Sequence, residues 1–223
     1  MTAAETLRAG AEDAWDQLGA HPFVTEMADG TLPPDRFRFY IEQNLLYLPE
    51  FARCLALGAA RASDLADAAT FARAVTEVIE VEIPANRDLL ARVAELCPVS
   101  PGPPVMAPGT LAYTAFLVRL AYESGPLGVM AAILPCAWSY REIARSLPRV
   151  APHPVYREWI AFFTGEVYNA TVDELLAQFE TMAAGADLAA LQATFTTSVR
   201  LERGFWDMAY DLVTWPDLAA VAA

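Results

Sequence analysis

The chain has 223 residues with 28 acidic and 15 basic side chains, a formal charge of −13, and no cluster of Lys and Arg, so a nucleic-acid partner is repelled at long range. Hydrophobic residues make up 55% and charged residues 19%, below the roughly 25% charge of an average soluble domain; the surplus apolar surface suggests a subunit interface. The longest run near the middle without a charged or strongly polar residue, PLGVMAAILPCAW, falls short of the ~18 apolar residues of a membrane span, and the start MTAAETLRAGAEDAWDQ carries acids where a secretory signal carries bases, so a single cytoplasmic domain is expected.

Apolar residues recur at three- and four-residue steps almost throughout, which predicts an all-α protein. In chain order the expected helices cover about 4–18, 34–60, 64–96, 110–124, 126–146, 154–182 and 187–214. The breaks carry turn chemistry: AHPF and DGTLPP between the first two, CPVSPGPPVMAPGT as a stiff loop, then ESGPLG, SLPRVAPHP and AAGAD. Thr110 and Asp187 read as N-caps. With no repeat, low-complexity tract or flexible linker, the short connections favour antiparallel neighbours in one bundle.

A helical bundle rich in carboxylates raises di-iron chemistry, which uses Glu-x-x-His pairs on facing helices. The two histidines, His21 and His153, each precede a proline, a context pushed away from helical geometry, and neither has a glutamate three residues earlier. In EVIEVE, Glu77 and Glu80 can share a face, and with Glu82 they read as a solvated helix surface. No metal site is expected, and haem on His21 is a remote alternative. The three cysteines lack CxxC spacing, so neither a zinc site nor a disulfide framework is suggested.

Cys54 and Cys97 read as small buried hydrophobes. Cys136 differs, because Pro135 removes a backbone N–H and crowds the carbonyl four residues earlier, which should bend the helix, and Tyr140 lies one turn on along the same face. Asn44 and Tyr47 share a face just before a second in-helix proline, Pro49; Glu202 and Phe205 share another. A carboxyl, a thiol, phenols and a stacking ring are the parts needed to hold a flat, nitrogen-bearing heterocycle and attack it covalently.

The segments HPFVTEMADGTLPPDRFRFYIEQNLLYLPEFARCLALGAARA, LAYTAFLVRLA, ILPCAWSYREIA and ERGFWDMAYDLVTWP, taken in order, resemble the TenA family, the thiaminase II enzymes of thiamin salvage. The likeness runs from about Glu5 to about Pro216. It implies a haem-oxygenase-like all-α bundle without haem, usually a homotetramer. It also implies cofactor-independent hydrolysis of an aminomethyl-pyrimidine to the hydroxymethyl-pyrimidine, with slower cleavage of thiamin. By motif position Cys136 looks like the nucleophile and Glu202 like the acid that meets a ring nitrogen, while Tyr47, Tyr113, Tyr140 and Phe205 look like pocket phenols and stacking walls.

Two positions depart from the family pattern. Asn44 stands where a carboxylate would hold the substrate amine and help ionise the thiol, and Phe163 stands where a tyrosine is common. An amide cannot act as a base, and an unassisted thiol near pKa ~8.5 is only a few per cent ionised at neutral pH. The departures imply slower turnover of the usual amine or a different pyrimidine substrate. The rival reading is a pyrimidine-binding or regulatory protein that kept the pocket and lost the chemistry.

Overall fold

The computed structural model describes residues 1–97, 103–148 and 153–216, and every regular element among them is helical. The elements are α1 (Ala3–Ala9), α2 (Glu12–Gly19), α3 (Pro22–Asp29), α4 (Pro34–Arg61), α5 (Leu65–Glu77), a π-helical turn (Val78–Glu82), α6 (Ile83–Ala94), α7 (Pro108–Glu123), α8 (Pro126–Ser146), α9 (Pro154–Thr164), α10 (Glu166–Met182) and α11 (Leu188–Asp211). Parts of the expected loops, 98–102 and 149–152, lie outside the described residues. None of the described helices is long and apolar enough to cross a membrane.

Five helices, α3, α4, α7, α8 and α9, begin on a proline, whose missing N–H is no loss in a first turn and whose φ is already helical. Asp187 caps α11 by accepting from the Ala189 N–H at 3.0 Å. Thr110 is not a cap. The helix starts on Pro108, so Thr110 sits inside the first turn, fully buried, and its hydroxyl donates to Gln43 Oε1 at 2.8 Å.

Two expected helices are subdivided and one expected loop is helical. The first breaks at Gly10–Ala11 into α1 and α2; α1 opens with a Thr2–Glu5 capping box, and its Ala3 and Ala4 amides donate to the Glu180 carboxylate at 2.7 and 2.8 Å, tying it to α10. The segment between the first two expected helices is itself helical: His21 caps α3, and Gly30, at φ 75°, closes it in the left-handed conformation that glycine adopts without penalty. Gly165 divides 154–182 into α9 and α10.

The expected helix over 64–96 is continuous but changes register. Pro84 has no N–H and crowds the carbonyl one turn earlier, and just before it the chain widens to a π turn in which the Ile83 N–H reaches back to the Val78 carbonyl. The Asn86 side chain donates to the Glu82 carbonyl at 2.9 Å and so satisfies an acceptor at the register change.

Helix α4 packs against α5, α6, α7, α8 and α11, and α8 packs against α9, α10 and α11. Between them lies an aromatic core. Phe23, Tyr40 and Tyr140 each stack on Trp206, with ring centroids 4.9 to 5.2 Å apart, and Trp159 donates to the Tyr40 hydroxyl at 3.1 Å. Burial of side chains this size is worth roughly 1.5–3 kcal/mol each. That rigid pack fixes where α4, α8, α9 and α11 meet, and the site lies beside it.

Candidate active site

One chamber is lined by α4, α5, the π turn, α7, α8, α9, α10 and α11. All eight residues singled out from the sequence face it: Asn44 and Tyr47 from α4, Tyr113 from α7, Cys136 and Tyr140 from α8, Phe163 from α9, and Glu202 and Phe205 from α11. The aromatic walls suit a small, flat ligand. Helix α8 continues unbroken through Pro135, as α4 does through Pro49. Cys136 and Tyr140, one turn apart, therefore face the same space.

The reactive parts form a connected group. The Tyr113 hydroxyl donates a hydrogen bond to Glu202 Oε1, and the Cys136 thiol faces the chamber beside the same carboxylate. The buried Tyr47 hydroxyl lies against the Cys136 sulfur and makes no hydrogen bond of ordinary geometry. Glu202 is 2% exposed, and burial raises its pKa to about 7, with the bonds from Tyr113 and Cys136 holding it from rising further. Burial lifts the thiol well above its usual range, the Glu202 and Glu82 carboxylates lift it further, and the Tyr47 hydroxyl opposes them. Cys136 retains surface toward the chamber while sitting deep in the bundle.

The walls are held by neighbours of their own. Tyr47 packs on Tyr113 at 5.0 Å and on Phe205 at 5.8 Å between ring centroids. The Tyr140 hydroxyl lies close to that of Tyr40, and its ring meets Phe163 at 5.0 Å. Asn44 donates to Asn86 Oδ1 at 3.0 Å, and Asn86 in turn bonds the Glu82 carbonyl, so Asn44 is coupled to the π turn.

The sequence reading missed the chamber residues on α5, the π turn and α10. Glu82 is not on a solvated surface: it is 9% exposed and faces the chamber together with Glu77, whereas Glu80 does point outward. On a straight α-helix residues 77 and 82 lie ~140° apart; the i→i+5 register brings them to one side. The visible signal was Pro84, inside an otherwise continuous helical pattern. Tyr168, Thr171, Val172 and Leu175 complete the wall, with the Tyr168 hydroxyl bonded to the Ala137 carbonyl at 3.0 Å.

Neither histidine faces the chamber. His21 Nδ1 accepts from the Phe23 N–H at 3.1 Å and Nε2 meets Asp207 at 3.1 Å, so both ring nitrogens are engaged; His153 caps α9. Among the described residues no group of three or more His, Cys, Asp or Glu has the arrangement of a metal site.

The sequence profile of the TENA/THI-4/PQQC family matches residues 8–212. The chain belongs to that family. Among its relatives, a protein of Halalkalibacterium halodurans named aminopyrimidine aminohydrolase is 34% identical, over 96% of this chain and 98% of its own length. A Bacillus subtilis protein of the same name is 32% identical, over 98% and 94%. The crystal structure of a protein from Silicibacter sp. TM1040, described as a TenA family transcription regulator, superposes with a TM-score of 0.85 at 26% identity, covering 93% of this chain and 96% of that one. The family's all-helical fold is therefore the fold of this chain.

Proposed function

We propose that the chamber hydrolyses an aminomethyl-pyrimidine, 4-amino-5-aminomethyl-2-methylpyrimidine, to the hydroxymethyl-pyrimidine and ammonia, with Cys136 as nucleophile and Glu202 as the proton carrier. The observation that carries this reading is the thiol of Cys136 facing the same aromatic chamber as a buried Glu202 whose pKa stands at about 7. The relatives named aminopyrimidine aminohydrolase support the same chemistry.

A carboxyl poised near neutrality can both take and return a proton at physiological pH. Glu202 accepts the thiol proton as sulfur adds to a ring carbon, and delivers it to a ring nitrogen, so negative charge does not accumulate on the ring. The amine leaves in its ammonium form: the electron pair returns through the ring and expels ammonia from the exocyclic methylene. Water adds at that carbon and gives its extra proton to the departing ammonia, then the ring nitrogen returns its proton through Glu202 to sulfur as the carbon–sulfur bond breaks, restoring the thiol. Tyr113 keeps Glu202 aimed at the chamber, Tyr47 supports the thiolate, and Tyr140, Phe163 and Phe205 form the walls against which the ring packs. The chain acts without a cofactor, as one domain, in the cytoplasm, and assembles into a homotetramer through exposed apolar side chains such as Ile79, Tyr122 and Val167.

Asn44 favours one second reading, a pyrimidine-binding or regulatory protein with weakened catalysis, because its amide is tied to Asn86 and cannot serve as a base. The charge of −13 opposes any regulatory role through direct contact with DNA. Incubation with 4-amino-5-aminomethyl-2-methylpyrimidine, its formyl derivative and thiamin separates the two readings. The expected outcome is release of hydroxymethyl-pyrimidine, fastest from the amine. Tight binding of all three with no product over long incubation would favour the binding protein.

A further inference from the structure

The side chains that line the chamber include three carboxyl groups, Glu77, Glu82 and Glu202, and not one Lys, Arg or His. Glu202 has Tyr113 and Cys136 as partners. The Glu82 carboxyl has no hydrogen bond or ion pair to any described residue, although it is nine-tenths buried and faces the cavity. One oxygen of Glu77, beside it, is also buried without a partner. A buried carboxylate left this way is destabilising unless something arrives to pair with it.

The backbone holds Glu82 in that position by a specific device. The π turn rotates it from the outer face to the chamber, and Asn86, itself held by Asn44, bonds its carbonyl. Through this chain Asn44 positions a carboxylate that its own side chain does not provide.

We infer that Glu82, backed by Glu77, is the subsite for a primary ammonium group carried on a methylene arm of the ring bound between the aromatic walls. This rests on the pyrimidine reading above and deepens it: the charge that selects the amine comes from the π turn and not from position 44. The neutral alcohol left after reaction finds no such attraction, so the subsite also favours product release. Burial and the neighbouring Glu77 and Glu202 hold the empty Glu82 toward its protonated form. An incoming ammonium offsets all three effects.

The test compares matched ligands in a Cys136→Ala background, where nothing turns over. Binding of 4-amino-5-aminomethyl-2-methylpyrimidine and of its 5-hydroxymethyl analogue is measured by calorimetry, with and without Glu82→Gln. The expected result is an amine affinity lowered about 10- to 100-fold, as for loss of a charge-assisted hydrogen bond, with the alcohol unchanged and the melting temperature equal or higher. Equal weakening of amine and alcohol, or no weakening of either, overturns the assignment. Benzylamine and benzyl alcohol, tested alongside, separate the two levels of the argument. If neither pyrimidine binds but benzylamine outcompetes benzyl alcohol only when Glu82 is intact, the cation subsite stands and the pyrimidine reading falls.

Discussion

The region around Cys54 and the region around Cys136 surround the same side chain with opposite chemistry. Both sulfurs lie on long helices in one core, Cys54 on α4 and Cys136 on α8. Cys54 is fully buried, lies 3.5 Å from the Leu117 carbonyl to which its thiol donates, and is pushed to about 12 by burial alone. Cys136 is also raised by burial, but it has a carboxyl to take its proton and a phenol to support the anion. Under the proposed mechanism depth does not separate the inert thiol from the reactive one; the groups that surround each do.

The largest expected effect breaks the comparison outright. Cys136→Ala should reduce turnover to background while leaving the fold intact, whereas Cys54→Ala should keep the parent rate and lose about 1 kcal/mol of stability for the small cavity left behind. Product analysis beside thermal melts reads both. Retained turnover in Cys136→Ala would remove the nucleophile from the mechanism.

Glu202→Gln should come next, lowering kcat by roughly 10² to 10⁴. Its stability should move the other way. The folded pKa of Glu202, about 7, exceeds its ordinary value, so the folded state holds a proton that the unfolded chain has lost over that interval. The parent therefore loses stability as pH rises through this range, by about 3 kcal/mol from this group, and the glutamine variant lacks that loss. Denaturant melts from pH 4.5 to 8 should show the variant gaining on the parent as pH rises; a constant difference would sink the claim.

The smallest effect sharpens the contrast. Tyr47→Phe removes the hydroxyl that favours the Cys136 thiolate, so the pH profile of Cys136 alkylation should shift upward and turnover should fall by about tenfold. The reactivity of Cys54 should not change. An unaltered alkylation profile would mean that Tyr47 serves only as a wall.

The sequence pattern and the structure agree where each residue acts by its place on an ordinary helix. Asn44 and Tyr47, Cys136 and Tyr140, and Glu202 and Phe205 are pairs spaced three or four apart, and each pair does face one chamber. Long apolar periodicity opened by proline marked α4 and α8 closely, and the Asp187 cap marked the start of α11. The failures share a cause, which is that short-range backbone choices do not change the apolar pattern. Gly165 ends a helix without altering the spacing of the residues around it, and Pro22 and Gly30 bound a short helix that looks like two turns. Glu82 was invisible for the same reason: its position depends on one extra residue in one turn, and a 3.6-residue period assigns it to water.

The clasp between α1 and α10 has a practical side. Glu180 is gripped by the Ala3 and Ala4 amides, and α10 contributes Thr171, Val172 and Leu175 to the chamber wall. Trimming the first few residues to help crystals grow would loosen a wall of the chamber from a distance. A removable leader placed ahead of Thr2 is the safer design.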